Sequence, residues 1–243
     1  MIHPTAQIAP DAIIGKNVSI GAYCKIDYHV VLADNVILEP HVTIASQSQI
    51  GENSHLYPFV HIGNGKTNIV IKENCHIREF TRIATEEKAS KPVSIQKHCY
   101  IMAYTDIKEH VTLKEYCTIT NHVILNSGVI CEKRVIIGAK AAIASDCTIG
   151  TGCMIGGVSK VTHDIPPFCL VEGSPIAKIR GLNLIGMRRS FDDRDSINHV
   201  KKCFLALKKT SFDPNYAKMF LETIDDPHAK HLARFVANHT IGQ

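Results

Sequence analysis

Aliphatic residues recur at every sixth position along most of this chain, with polar or small residues between them. Eleven follow one another without a break, three come after a short interruption, and a last series of twelve ends at Val161. These positions are Ile2, Ile8, Ile14, Ile20, Ile26, Leu32, Leu38, Ile44, Ile50, Leu56, Ile62, Ile71, Ile77, Ile83, Ile95, Ile101, Ile107, Leu113, Ile119, Leu125, Cys131, Ile137, Ile143, Ile149, Ile155 and Val161. A period of six matches neither the helical period of about 3.6 residues nor the alternation of an ordinary strand.

Short strands joined by tight corners explain this period. With three strands in each coil, equivalent residues of successive coils stack, and the chain forms a parallel β-solenoid. Residues two before each aliphatic are small or β-branched, for example Ala6, Val30 and Val60. Asn lies three residues after several aliphatics and Gly directly after others, and we expect both to supply positive φ at the corners. The series predicts nearly nine coils and a length of about 40 Å.

Hexapeptide repeats of this kind resemble the left-handed parallel β-helix, and the expected handedness comes from that resemblance. Two segments interrupt the regular repeat. A short loop follows Ile62, and a longer charged segment between Ile83 and Ile95 predicts a projecting arm, which is either a spacer or a subunit or ligand contact.

The repeat stops at the sequence DIPPF, residues 164–168, where two prolines end the solenoid. Helical periodicity then predicts three amphipathic helices. They cover residues 195–209, 215–224 and 227–238. The predicted fold is therefore an all-β left-handed parallel β-helix over residues 1–165, a connector over 166–190 and a small α-helical C-terminal domain over 191–243.

Composition and charge narrow the class of protein. The chain is 45% hydrophobic, yet no apolar run approaches the ~20 residues of a membrane span, and the N-terminus lacks a signal segment. We expect a cytoplasmic protein with no integral membrane segment and no nucleic-acid partner. Residues 178–243 carry twelve Lys and Arg against seven Asp and Glu. This basic tail is either a solvated helix surface or a binding surface for an acidic protein.

Nine cysteines raise the question of disulfides or zinc, but none of them forms a C-x2-C pair. Six share one phase of the repeat, two residues before the next aliphatic position. They are Cys24, Cys75, Cys99, Cys117, Cys147 and Cys153. A cysteine at such a position behaves as a small buried hydrophobe, so the pattern predicts inert thiols, no disulfide and no metal site.

The order of segments resembles one family over the whole length. A nine-coil hexapeptide solenoid is followed by DIPPF, EGSP, RGLNLIGMRRSF and a helical tail that contains ARF. This order resembles the UDP-N-acetylglucosamine O-acyltransferases of lipid A biosynthesis. The resemblance implies a homotrimer with active sites in clefts between neighbouring solenoids. It also implies a UDP-linked amino sugar as acceptor, an acyl chain carried by acyl carrier protein as donor, and no further cofactor.

The same resemblance assigns binding residues. In the GLN-x-x-G-x-RR segment, Asn183, Arg188 and Arg189 match the nucleotide-binding part of the family motif, and guanidinium groups suit a diphosphate. The segment CMIGGVS matches the lining of the family's acyl groove, so Met154 and Gly157 are expected to set the acyl-chain length.

The catalytic corner departs from the family. Its Met-Ile-Asn-Ala-His-Ile-Ala-His-Asp segment aligns without gaps to residues 102–110. The family's base histidine falls on Glu109, its orienting acid on His110 and its first histidine on Asp106. A later histidine falls on Gly128. Two alternatives remain for proton transfer: Glu109 is the base, or His110 is the base and Glu109 orients it. Both could instead be solvated corner residues.

Two other functions compete with acyl transfer. A catalytically inactive paralogue would bind a nucleotide sugar or acyl carrier protein, or join and regulate an active relative. A γ-class carbonic anhydrase would need two zinc-binding histidines with a five-residue offset, whereas His55 and His61 are six residues apart. The spacing of the histidines therefore argues against that metal site.

Overall fold

The structure is a computed structural model that describes residues 1–86 and 91–242. Within these ranges the chain forms 27 short strands and four helices. The strands are β1 (Gln7–Ile8), β2 (Ile13–Ile14), β3 (Ser19–Ile20), β4 (Lys25–Ile26), β5 (Val31–Leu32), β6 (Ile37–Leu38), β7 (Thr43–Ile44), β8 (Ser48–Ile50), β9 (His55–Leu56), β10 (His61–Ile62), β11 (Ile69–Ile71), β12 (His76–Ile77), β13 (Arg82–Ile83), β14 (Val93–Ile95), β15 (Tyr100–Ile101), β16 (Asp106–Ile107), β17 (Thr112–Leu113), β18 (Thr118–Ile119), β19 (Ile124–Leu125), β20 (Ile130–Cys131), β21 (Ile136–Ile137), β22 (Ala142–Ile143), β23 (Thr148–Ile149), β24 (Met154–Ile155), β25 (Lys160–Val161), β26 (Cys169–Glu172) and β27 (Lys178–Leu182). The helices are α1 (Leu184–Ser190), α2 (Arg194–Lys209), α3 (Pro214–Leu221) and α4 (Pro227–Asn238).

The strands stack into three sheets, one on each side of a triangular prism. Sheet 1 contains β1 and every third strand up to β25, sheet 2 runs in the same way from β2 to β23, and sheet 3 runs from β3 through β24 to β26 and β27. Strands of successive coils pair in parallel and in register, as Ile101 does with Ile119. The predicted parallel β-solenoid is therefore confirmed.

The interior of the prism is aliphatic. The last residue of each strand from β3 to β25 is buried, and its side chain stacks on the equivalent residue of the next coil. Cys131, the one exception to the aliphatic series, is fully buried in the same position. All nine cysteines are buried and free, as the repeat phase of six of them predicts.

Asparagines form one set of corners in the predicted way. Asn17, Asn35 and Asn53 have φ of 56°, 59° and 56°. Asn tolerates this left-handed conformation better than most residues. The side chains also form a ladder, because the Asn17 amide donates to Asn35 Oδ1 at 3.2 Å and the Asn35 amide donates to Asn53 Oδ1 at 3.1 Å.

Glycines directly after the aliphatic positions, apart from Gly63 with its positive φ, have a different purpose from the one expected. Gly51 and Gly150 do not adopt positive φ, so the expectation of positive φ is wrong for them. A β-carbon at Gly150 would lie 2.5 Å from the backbone nitrogen of Pro167, and one at Gly51 would lie 2.5 Å from that of Glu73. These glycines are needed because the next coil passes directly over them.

The two interruptions fall where the sequence predicts them. The loop after β10 turns at Gly63 and Gly65, with φ of 76° and 83°, and the chain re-enters sheet 2 at β11. The predicted arm between Ile83 and Ile95 is described at its two ends, while residues 87–90 lie outside the described residues.

The C-terminal region contains more regular structure than the sequence predicts. Strand β26 extends sheet 3 by pairing with β24, and β27 pairs with β26 in antiparallel orientation. Both strands and α1 fall within the segment predicted as a connector. They escape the repeat analysis because an antiparallel strand and a seven-residue helix do not continue the six-residue period. The three predicted helices correspond to α2, α3 and α4.

Aspartates begin these helices. Asp193 caps α2 by accepting hydrogen bonds from the backbone N–H groups of Asp195 and Ser196, and Asp226 caps α4 through the N–H of Ala229 at 2.7 Å. Such caps satisfy donors that the first helical turn leaves unpaired. Within the described ranges, no helix has both the length and the apolar character that crossing a membrane requires.

Burial predicts that the thiols of the native protein react slowly with a disulfide reagent. Burial, with a smaller contribution from Asp164 and Asp146, raises the pKa of Cys147 to about 11, and burial raises the pKa of Cys203 to about 12. The thiolate is the reacting species, so neither should be titrated rapidly at pH 8. We expect nine thiols to appear only after denaturation. Two or more fast thiols in the native protein would contradict this packing.

Candidate functional site

A cavity of about 300 Å³ lies between the last coils of the solenoid and the helical region. Its solenoid wall includes Tyr116, Thr118, Arg134 and Ile136, from sheet 3 and the corner that precedes it. The opposite wall consists mainly of α1 and the residue that follows it, Phe191. The cavity therefore exists because α1 packs against the prism.

Asn183 holds α1 in this position. Its side-chain oxygen accepts a hydrogen bond from the N–H of Gly186 at 3.0 Å, which caps the helix, and its amide donates to the carbonyl of Gly152 at 3.0 Å. Asn183 also lines the cavity. Its side chain thus joins the helix to the corner of a coil, so the structure gives it a positioning role at the edge of the predicted nucleotide site.

The two predicted arginines of α1 differ in position. Both are exposed, but Arg189 lines the cavity and Arg188 does not. Arg134, which sequence reasoning did not select, brings a second guanidinium group to the same cavity and stacks 5.0 Å above the ring of Tyr116. Two guanidinium groups in one cavity suit an anionic ligand such as a diphosphate.

Aromatic rings form the end of the cavity beneath α4. Phe191 and His228 stack with ring centroids 3.9 Å apart, and the buried Phe168 contacts both rings edge-on. A ligand with a flat ring and an anionic group would therefore meet ring faces and guanidinium groups together. Sequence analysis missed Phe191 and His228 because they come from a chain segment far from the repeat.

Glu132 anchors α4 to the solenoid next to the cavity. Its carboxylate accepts hydrogen bonds from the hydroxyl and the N–H of Thr151, at 2.8 and 3.0 Å, and lies 3.2 Å from Nε2 of His231 on α4. Burial disfavours the charged form of this carboxylate. The contacts with His231, Thr151 and Lys114 outweigh that effect and lower the pKa of Glu132 to about 2.

Glu132→Gln should therefore weaken the attachment of the helical region. The folded-state pKa lies below the ordinary value of 4.5, so the stabilisation is complete above about pH 4.5 and disappears as the pH falls through about 2. At pH 7 we expect a loss of about 1–3 kcal/mol in the free energy of unfolding. Urea unfolding at several pH values measures this loss in the free energy of unfolding.

The matched control is Glu115→Gln, which removes an ion pair with Lys133 at the preceding coil. It should change stability little, because the pair lies at the surface. If wild type and Glu132→Gln lose stability in parallel between pH 5 and pH 2, Glu132 is not the anchor.

The predicted catalytic corner carries a network of charges. The Asp106 carboxylate accepts from Arg82 at 2.8 Å and from Lys108 at 3.0 Å, and Lys108 also contacts Glu86. Burial alone would lower the pKa of Lys108, but the carboxylates of Glu86 and Asp106 outweigh it and raise the pKa. Asp106 is therefore held between two cations, which suits an electrostatic role.

Glu109 and His110 lie side by side after β16, at the corner between sheets 1 and 2. Glu109 is partly buried and accepts a hydrogen bond from the N–H of Lys91 at 3.0 Å. His110 has φ of 61° and is exposed. Within the described residues the imidazole has no hydrogen-bond or ion-pair partner, so it is open to an incoming ligand.

A side chain at Gly128 would require the side chain of the next coil to move. The residue has φ of 78°, and a β-carbon there would lie 2.0 Å from Oδ1 of Asp146. Asp146 is the equivalent corner residue of the next coil, and its carboxylate lies where the β-carbon of a larger residue at 128 would be.

Of the two predicted acyl-groove residues, Met154 lies on the outer face of sheet 3, and Gly157 lies at the corner between sheets 3 and 1. Met154 pairs in register with Ile136 on one side and Leu170 on the other, so three half-buried apolar side chains form a row. Ile136 also lines the cavity, which connects the row to it. Gly157 is exposed, and a β-carbon there would lie 3.1 Å from the carbonyl oxygen of Ala139.

The candidate site thus falls into two groups on different faces of one chain. Asp106, Glu109 and His110 belong to sheet 1 and its corner with sheet 2, whereas the cavity and the Met154 row belong to sheet 3. In the part of the chain that the structure describes, no group of three or more His, Cys, Asp or Glu side chains is arranged to hold a metal ion.

Comparisons with known proteins show what the whole chain is similar to. A family model described as UDP N-acetylglucosamine O-acyltransferase, domain 2, matches residues 164–243, and a model described as GMPPB C-terminal domain matches residues 1–62. The acyl-(acyl-carrier-protein)–UDP-N-acetylglucosamine O-acyltransferase of Chlamydia caviae is 47% identical over 197 residues, which cover 77% of this chain and 70% of the relative. The enzyme of that name from Campylobacter lari is 34% identical over 246 residues, covering 97% and 93%.

Solved structures show the same similarity. The UDP-N-acetylglucosamine acyltransferase from Campylobacter jejuni superimposes with a TM-score of 0.89 at 30% identity, covering 99% of this chain and 97% of its own. An acyltransferase of the same description from Bacteroides fragilis gives a TM-score of 0.90 at 25% identity, with coverage of 100% and 99%. The similarity therefore extends over the solenoid and the helical region together.

Proposed function

The chain belongs to the UDP-N-acetylglucosamine O-acyltransferase family, and we propose that it transfers an acyl chain from acyl carrier protein to a UDP-linked amino sugar in lipid A-type lipid biosynthesis. The observation that carries this proposal is the cavity beside α1. It combines the two guanidinium groups of Arg134 and Arg189 with the stacked rings of Phe191 and His228. Guanidinium groups suit a diphosphate, and aromatic rings suit a flat base.

The acyl chain would lie along the apolar row next to the cavity. Ile136, Met154 and Leu170 offer a continuous apolar surface on sheet 3, and Gly157 leaves its corner without a side chain. A longer or shorter side chain at Met154 would change where the groove ends. In this proposal the donor is acyl carrier protein, and no additional cofactor takes part.

At the Glu109–His110 corner, a base must take the proton of the sugar hydroxyl as the hydroxyl oxygen attacks the thioester carbonyl. His110 suits this step because its imidazole is exposed and open to a ligand. Glu109 would then orient it, or would itself take the proton. The carbon–sulfur bond breaks, and the thiolate of the carrier leaves and regains a proton. Asp106, with Arg82 and Lys108, would supply fixed charge beside the reacting groups.

Several features extend the proposal. We infer a left-handed solenoid, a homotrimer with the sites between neighbouring chains, and the division into residues 1–165, 166–190 and 191–243. The nine free thiols agree with a reducing compartment such as the cytoplasm.

Arg189→Ala should weaken binding of UDP-N-acetylglucosamine by about 1.5–3 kcal/mol, because it removes a charge-assisted contact from the cavity. Isothermal titration calorimetry measures this. Arg188→Ala is the matched control, since Arg188 is the preceding residue and does not line the cavity. Equal losses in the two variants would show that the cavity is not the nucleotide site.

His110→Ala should lower kcat by on the order of 10²–10⁴ while UDP-sugar binding is retained, as expected for loss of a general base. Glu109→Gln should lower kcat less if Glu109 only orients the imidazole, and as much or more if it is the base. Turnover is followed by mass spectrometry of the acylated sugar nucleotide with acyl carrier proteins of several chain lengths. Sugar binding without turnover by wild type, unaffected by either variant, would instead support the inactive paralogue.

A further inference from the structure

The corner between sheets 1 and 2 recurs in every coil, and three of its residues stack in line with the predicted base. Strands β16, β19 and β22 pair in register in successive coils. Gly128 is therefore the equivalent of His110 in the next coil, and Asp146 is the equivalent one coil further. All three adopt left-handed φ, between 61° and 78°. We call these three residues the His–Gly–Asp column.

Gly128 leaves a gap in this column, and the carboxylate of Asp146 turns into it. Oδ1 of Asp146 lies over Gly128, where a β-carbon would otherwise be. Successive coils are about 4.8 Å apart, so this oxygen lies roughly one coil spacing from the β-carbon of His110. The imidazole projects beyond that β-carbon. Rotation about the side-chain bonds of His110 therefore brings Nδ1 within hydrogen-bond distance of the carboxylate.

Neither of the two side chains has a competing partner. In residues 1–86 and 91–242, the imidazole of His110 and the carboxylate of Asp146 make no hydrogen bond or ion pair. Glu109, by contrast, accepts a hydrogen bond from the N–H of Lys91 in the preceding coil at 3.0 Å. That coil places Pro92, which carries no charge, at the position equivalent to His110. Asp146 is thus the acid in line with the imidazole.

An aspartate and a histidine already pair at this corner near the N-terminus. Asp11 and His29 occupy equivalent positions of adjacent coils, since β1 and β4 pair in register. Nδ1 of His29 lies 2.6 Å from Oδ2 of Asp11. In the His–Gly–Asp column the acid and the imidazole are two coils apart, and the missing side chain at Gly128 lets them approach each other.

Such a pair decides which ring nitrogen can act as the base. When Nδ1–H donates to a carboxylate, the lone pair of Nε2 is available to a ligand, and the carboxylate stabilises the imidazolium that forms. The proton of the sugar hydroxyl then passes to Nε2 as the carbon–oxygen bond forms. Nε2 returns it to the thiolate of the carrier as the carbon–sulfur bond breaks. Catalytic hydrogen bonds of this kind often tighten only when the substrate binds.

We propose that Asp146 is a positioning residue that orients His110 through Nδ1, across the gap left by Gly128. This inference rests on the acyl transfer put forward above and adds the acid that directs the base. It assigns that task to a residue two coils away instead of to Glu109, which is adjacent to the histidine in the chain.

Nitrogen-15 NMR of the full chain with labelled histidine tests the pair without any turnover. At a pH where the imidazole is neutral, with UDP-N-acetylglucosamine present, we expect the proton of His110 on Nδ1 in wild type. In Asp146→Asn we expect it mainly on Nε2, because an amide is a weaker acceptor and its NH2 group can donate to Nδ1. The spectrum of His110→Ala identifies the signal. The matched control, Asp11→Asn, should change the signal of His29 and leave that of His110 as it is.

Kinetics provide the second measurement. Asp146→Asn should lower kcat on the order of 10–10²-fold with little change in the KM for the sugar nucleotide, because the cavity residues are unchanged. Added to His110→Ala it should cause no further loss, since a positioning residue acts only through the histidine. Asp11→Asn should keep the kcat of wild type.

The outcomes separate the two proposals. A proton on Nε2 of His110 in wild type, unchanged in Asp146→Asn, would overturn the pair and leave acyl transfer intact. A kcat of Asp146→Asn equal to that of wild type would also overturn it, as would a further loss when this change is added to His110→Ala. If wild type does not turn over at all, the acyl transfer fails, while the position of the proton on His110 still decides whether the pair exists.

Discussion

Hydrogen bonding between successive coils is the constraint on which the rest of this molecule depends. Each strand pairs in register with its equivalents in the coils below and above, so every sixth residue must be aliphatic and every corner must turn within a few residues. A narrow prism has no room for large rings, and this explains an interior of Ile, Val, Leu and Cys. Aromatic residues are consequently found at the corners and in the helical region.

The same constraint decides where chemistry can occur. The interior is filled, so functional side chains must come from outward strand positions and corners. There the regular stacking places equivalent residues of successive coils in contact, as with Gly128 and Asp146. A change at one corner therefore affects its neighbours in adjacent coils, and the ion pairs of Asp106 with Arg82 and Lys108 show how closely such side chains are linked.

The sequence predicts the solenoid because nearly every coil repeats the six-residue period. It predicts α2, α3 and α4 because these segments have helical periodicity. It does not reveal the Arg82–Asp106 pair, because the arm makes these residues 24 positions apart instead of one regular coil. Nor does it reveal the cavity, whose walls come from the solenoid, α1 and α4. Asn183 was found as part of a motif, but its capping of α1 is visible only in three dimensions.

We expect the register of the coils to fix the position of the catalytic corner even where its residues differ from the family segment. The most direct measurement is kcat of Glu109→His combined with His110→Asp, which restores the family's order of base and acid at this corner. If position determines chemistry, the double variant should turn over acyl carrier protein and UDP-N-acetylglucosamine at least as fast as wild type. A kcat as low as that of His110→Ala, with sugar binding and trimer intact, would show that register does not determine the chemistry of this corner.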